Sequence, residues 1–68
     1  MKLPVIFYPG EDGMVFAKCP VLPGCVSQGK TRNEALENIK EAIEGCIEVR
    51  REMGWPDTEE MIDVEVAL

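Results

Sequence analysis

The sequence predicts one α+β domain of order βββαβ: a three-stranded antiparallel sheet, one long amphipathic helix and a C-terminal strand. Three observations predict it. Alternating apolar runs flank turn residues in the first third, a helix start signal at Thr31 opens a stretch of 3.6-residue periodicity, and a second alternating run closes the chain. With 68 residues there is room for one domain, 1–68, and its core is small.

The first strand is expected over about 3–8, where Leu3 to Tyr8 is rich in β-branched and aromatic residues. Pro9-Gly10-Glu11-Asp12-Gly13 supplies turn chemistry for a hairpin into a second strand over about 14–19, in which Val15, Ala17 and Cys19 alternate with Met14, Phe16 and Lys18. Two prolines and a glycine in Pro20-Val21-Leu22-Pro23-Gly24 break the pattern. A short third strand follows over about 25–28 and stops at Gly29.

Thr31 and Glu34 have the spacing of a capping box, in which hydroxyl and carboxylate satisfy free amides at a helix start. The helix is expected over about 32–53, with Gly54 as its stop, Pro56 preventing resumption, and Arg50 and Arg51 complementing the negative end of its dipole. At about 100° per residue Leu36, Ile39, Ala42, Ile43, Cys46 and Ile47 share one arc, which should face the sheet. A last strand is expected over about 61–67, with Ile62, Val64, Val66 and the following Leu68 on one face and Asp63 and Glu65 on the other.

Thirteen acidic residues against seven basic ones leave a net charge of −6, which repels phosphate backbones and attracts a basic partner. Direct nucleic-acid binding is therefore not expected. The composition is 46% hydrophobic and 29% charged, that of a soluble globular chain, and no apolar run is long enough to span a bilayer. With no secretory signal at Met1-Lys2-Leu3-Pro4, the chain is expected in the cytoplasm, without a membrane partner. Its three cysteines, Cys19, Cys25 and Cys46, are read as reduced thiols, because the number is odd and no CxxC spacing suggests a redox or zinc site.

No histidine is present, so the commonest general base is missing, and Ser27, Thr31 and Thr58 have none to activate them. The first strand holds no acid, Glu11 and Asp12 fall in the turn, and the helix glutamates point away from the sheet, so no carboxylate set converges on a metal ion. The scattered glycines lack the spacing of a phosphate-binding loop. No catalytic residue, cofactor or metal ligand is assigned, and the chain is expected not to be an enzyme.

Glu34, Glu37, Glu41, Glu44 and Glu48 recur at alternating spacings of three and four, which lines them up opposite the apolar arc. Such a stripe is either a solvated face or a docking surface for a basic partner. Gly45 sits in mid-helix at a cost of about 1 kcal/mol relative to alanine, and is either a point of close approach for another chain or a chance occurrence, while Trp55, the one tryptophan, follows the helix and either caps the end of the core or serves an interface.

Taken together, Pro20-Val21-Leu22-Pro23-Gly24-Cys25, then Ser27-Gln28-Gly29, then Thr31-x-x-Glu34-Ala35 running on through Glu37-Asn38-Ile39-Lys40-Glu41-Ala42, resemble the HicB family of antitoxins. With the preceding hairpin the likeness covers nearly the whole chain. Val21 departs from it, since the family usually has aspartate there. The resemblance implies a partly degraded ribonuclease-H-like fold without nuclease carboxylates, one that binds and masks a small RNA-cleaving HicA-type toxin. It also implies a homo-oligomer, dimer or tetramer. Family members commonly carry a C-terminal DNA-binding segment, but the sequence stops at Leu68, so operator binding is not carried over.

The candidate partner-binding residues are therefore the glutamate stripe, for attraction, and Pro20, Leu22, Pro23, Gly24 and Cys25 of the loop, for shape. The loop is equally readable as a rigid turn that sets the third strand. Two competing functions stand beside the antitoxin: an orphan structural or regulatory oligomer with no cognate toxin, and a residual metal-dependent nuclease.

Overall fold

Three antiparallel strands, one α-helix and a single 3₁₀ turn account for all the regular structure in the computed structural model, which describes residues 1–68. Strand β1 (Ile6–Pro9) pairs with β2 (Val15–Lys18), and β2 with β3 (Val26–Gly29), in the order β1-β2-β3. The register sets Phe7 against Ala17 and Ala17 against Ser27, so these side chains share the face that the helix covers. Tyr8 and Phe16 pair on the opposite face with ring centroids 5.3 Å apart.

The β1–β2 hairpin turns through a single 3₁₀ turn, Glu11–Gly13, where Asp12 and Gly13 take positive φ of 55° and 76°. Between β2 and β3 the Cys19 amide donates to the Cys25 carbonyl (3.0 Å), and the Leu22 and Cys25 amides close tight turns inside the loop. Leu22, 2% exposed, is folded inward by those turns.

Helix α1 (Arg32–Glu52) starts where Thr31 Oγ1 accepts a hydrogen bond from the Glu34 amide at 3.1 Å. The Glu34 carboxylate reaches one residue further back than a simple capping box and accepts from the Lys30 amide at 3.2 Å. At the other end Gly54, with φ 74°, closes a Schellman motif: the Trp55 amide donates to the Arg50 carbonyl (2.8 Å) and the Gly54 amide to that of Arg51 (3.1 Å).

Only eight of 68 residues are buried, so few side chains hold the fold. Ala35 and Ile39 of α1, both 0% exposed, meet Ala17, Cys19, Val21, Leu22 and Cys25 from β2 and its loop. The remainder of the expected arc, Leu36, Ala42, Ile43, Cys46 and Ile47, is half-buried around them. Helix and sheet touch most closely at Gly29, where a Cβ would run into the Ala35 backbone nitrogen and lie 2.8 Å from Glu34 Cβ. Asn38 fixes the same joint by donating to the Gln28 carbonyl at 2.7 Å.

The strand expected over 61–67 is not formed. Residues 59–68 have no regular secondary structure, and Met61 to Leu68 are all exposed, Ile62 by 71% and Val64 by 70%. A strand exists only through ladder bonds to a neighbour, and here the segment meets no edge of its own sheet. The radius of gyration, 13.6 Å, accordingly exceeds the about 11 Å of a compact chain of this length.

The segment leaves the domain from a fixed point. The Glu59 amide donates to the Val21 carbonyl at 2.8 Å, Arg50 Nε to the Pro56 carbonyl at 2.7 Å, and Arg51 pairs bidentately with Asp57 at 2.8 and 2.7 Å. Both arginines, expected to serve the helix dipole, thus also clamp the linker that follows the helix.

Candidate protein-binding surface

All five stripe glutamates are exposed, as the 3.6-residue period requires once Ala35 and Ile39 point inward. They are not equivalent. Glu34 is occupied with the helix start, and Glu37 pairs with Lys40 at 3.3 Å, a contact so exposed (58% and 71%) that solvent screens most of it. Glu41, Glu44 and Glu48 have no cation within ion-pair distance.

The loop residues divide differently. Leu22 and Cys25 are each 2% exposed and belong to the core, so a partner could not reach their side chains without unfolding the loop. Pro20 is half-buried, while Pro23 and Gly24 are exposed and form the outer surface of the loop. Gly24 takes φ 79°, which a side chain would strain. The Cys25 thiol is pushed up to about 12, first by burial and then by its hydrogen bond with Cys46, so it stays protonated rather than nucleophilic. No group of three His, Cys, Asp or Glu side chains converges to hold a metal ion.

Helix and loop meet along a groove of about 580 Å³ that runs past Leu22, Pro23, Gly45, Val49 and Trp55. Gly45 supplies part of its floor: a Cβ there would meet nothing within 4 Å, so no packing within the chain demands glycine. Trp55 is 53% exposed at one end, with the Arg50 guanidinium 5.9 Å from its ring centroid. Glu41 and Glu48 lie one turn either side of Gly45 on the helix, exposed and without an ion-pair partner, while the one charged side chain lining the groove itself is Arg50, which pairs with Glu59 at 3.6 Å.

Gly45 and Trp55 each stand out in the sequence, as do the loop and the stripe, but nothing local shows that they form one surface. Val49 carries no sequence signal beyond an apolar residue just off the main arc. Its 56% exposure marks it in the structure.

An apolar groove on a helix that also carries an exposed acidic stripe suits another protein better than a metal or a phosphate. Comparison with known proteins agrees. The family model described as the HicB-like antitoxin of bacterial toxin–antitoxin systems matches residues 3–67. The chain belongs to the HicB-like antitoxin family.

Among its relatives, a UPF0150 protein of Archaeoglobus fulgidus is 39% identical over 66 residues, spanning 97% of this chain and 91% of that one. Another from Thermoplasma acidophilum is 56% identical over 48 residues, 71% of this chain and 70% of that one. The protein named Antitoxin HicB 1 in Photorhabdus laumondii is 42% identical over 43 residues, 63% of this chain but 28% of its own length. No solved structure gives a significant match. Membership of an antitoxin family implies a toxin as partner.

Proposed function

We propose that this HicB-like chain is a non-catalytic antitoxin that binds and masks a small, basic, HicA-type ribonuclease in the cytoplasm, assembled as a dimer or tetramer. The observation that carries the reading is the apolar groove at Gly45, on a helix whose Glu41 and Glu48, one turn to either side, are exposed and without an ion-pair partner. Its apolar floor gives an anchor side chain of the toxin somewhere to be desolvated, and the exposed glutamates along the same helix attract the basic surface that a ribonuclease offers to RNA phosphates. Masking needs no chemistry, only that substrate be excluded. A degenerate ribonuclease-H-like ancestry belongs to the same reading and accords with a first strand that bears no acid.

The net charge of −6 supplies the second part of the mechanism. Long-range attraction raises the encounter rate with a basic partner and is screened by salt, whereas apolar contacts at the groove govern dissociation. Changing Glu37, Glu41 and Glu44 to lysine moves the net charge by +6, to zero, on solvent-facing positions that leave the core untouched. Association with a basic HicA-type protein is expected to slow about tenfold or more at low salt, measured by stopped-flow mixing. Unchanged, salt-independent kinetics would remove the stripe from the mechanism. Co-expression with any short basic protein encoded beside this gene tests the function itself: if no such protein is encoded there, or the chain neither binds it nor relieves its toxicity, the orphan oligomer becomes the better reading.

A further inference from the structure

We propose that Met61–Leu68 pairs as a fourth strand along the free edge of β1 in a second copy of this chain, each copy lending its segment to the other. The proposal gives a geometry to the self-association part of the reading above and rests on that part alone. Ile62, Val64, Val66 and Leu68 alternate with Asp63, Glu65 and Ala67, the pattern of a strand with one face to bury, yet Ile62, Val64 and Val66 are all at least 65% exposed. The linker contacts at Pro56, Asp57 and Glu59 hold the exit of the segment in place, and from Glu59 the remaining nine residues span at most about 30 Å.

The β1 edge fits that segment and no other element of the chain occupies it. Beside it lies a groove of about 550 Å³ whose apolar lining includes Leu3, Val5, Leu36, Ile43 and Ile47, the part of the helix arc that the three strands leave half-covered. Lys2 and Lys40, the latter shared with Glu37, edge this groove together with Glu44, whereas the segment beyond Glu59 has three acids, Glu60, Asp63 and Glu65, and no base, so the charges are complementary. Pro4 and Pro9 lack amide hydrogens and bracket Val5 to Tyr8, which limits pairing to a short stretch matched to Ile62–Val66. The β3 edge is less open, because Asn38 already takes the Gln28 carbonyl. Reciprocal exchange about a two-fold axis buries both apolar faces and both edges at once.

The test joins light-scattering mass on the full chain to isotope-filtered NMR on a mixture of labelled and unlabelled copies. The expected result is a dimer or an even multiple of 7.6 kDa, with cross-peaks between Met61–Leu68 of one copy and Leu3–Tyr8 of another. Val64→Asp is expected to yield a monomer of unchanged helix content, since residue 64 takes no part in the core of a single chain. A monomeric wild-type chain overturns both this inference and the oligomer. Cross-peaks confined to one chain overturn the exchange by showing the segment on its own β1 edge, and an oligomer that survives Val64→Asp overturns it while leaving self-association standing. The cross-peaks decide the matter even if the variant fails to fold.

Discussion

Helix α1 and the segment Met61–Leu68 carry equally regular apolar patterns, one of period 3.6 and one of period two, yet they end in opposite surroundings. Ile39 is fully buried, while Val64 is 70% exposed. The difference lies in where the chain delivers each pattern. Gly29 ends β3 hard against Ala35, so the helix is laid on the sheet within a few residues of leaving it. The last segment instead follows a helix of 21 residues and a clamped linker, and arrives beside no edge of its own sheet. An amphipathic pattern states that a face needs covering; connectivity decides whether the same chain can cover it.

The contrast is sharpest in mutational cost. Ile39→Ala removes a fully buried side chain from a core of very few residues, so a loss of about 2–5 kcal/mol is expected, at any protein concentration, by chemical denaturation. Val64→Ala is expected to cost nothing measurable in dilute solution and to lower the melting temperature only as concentration rises, because its contacts belong to a complex. A concentration-independent loss at Val64 would break the comparison by placing that side chain inside its own domain.

The elements read most completely from sequence are those set by neighbours in the chain. Thr31 and Glu34 start the helix and Gly54 ends it through hydrogen bonds spanning at most five residues, so residue types alone are enough. Strand β1 begins later than expected, at Ile6, and the residues before it pack on the core without a ladder partner. The site was legible only in fragments. The stripe follows from periodicity, but the burial of Leu22 and Cys25 depends on turns closed across the loop, and the groove joins residues about 25 positions apart in the chain. Arg50 and Arg51 were legible as dipole partners, whereas their hold on Pro56 and Asp57 requires the reversal of direction at Gly54.

A second test uses pH to separate the core from the exposed segment. The thiol of Cys25 ionises near 9.0 when the chain is unfolded and only at about 12 when folded, so over that range the native state holds a proton that the unfolded state releases. Stability from this thiol is complete below pH 9 and declines above it, by about 1.4 kcal/mol for each pH unit until the folded thiol itself titrates. Urea midpoints for wild type are therefore expected to fall with rising pH more steeply than those of Cys25→Ala. Parallel slopes in the two proteins would mean that Cys25 is not sealed in the core as its 2% exposure implies.

The smallest effect asks whether the groove behaves like the core or like the exposed segment. Gly45 lies within α1, where glycine is unfavourable, and a Cβ there meets no atom of its own chain within 4 Å. Gly45→Ala is therefore expected to raise stability by about 1 kcal/mol in thermal or chemical denaturation. At Gly29, by contrast, the same added methyl would strike the Ala35 backbone and push helix from sheet, so Gly29→Ala is expected to destabilise. The gain at Gly45 should come with weaker binding of the toxin, because the methyl occupies the floor of the groove between Leu22 and Trp55. A variant that is both more stable and a poorer binder would show that the groove is shaped for a partner at the expense of the fold. One that gains stability and binds as before would leave Gly45 a tolerated weakness in the helix and move the toxin's anchor elsewhere along the acidic face.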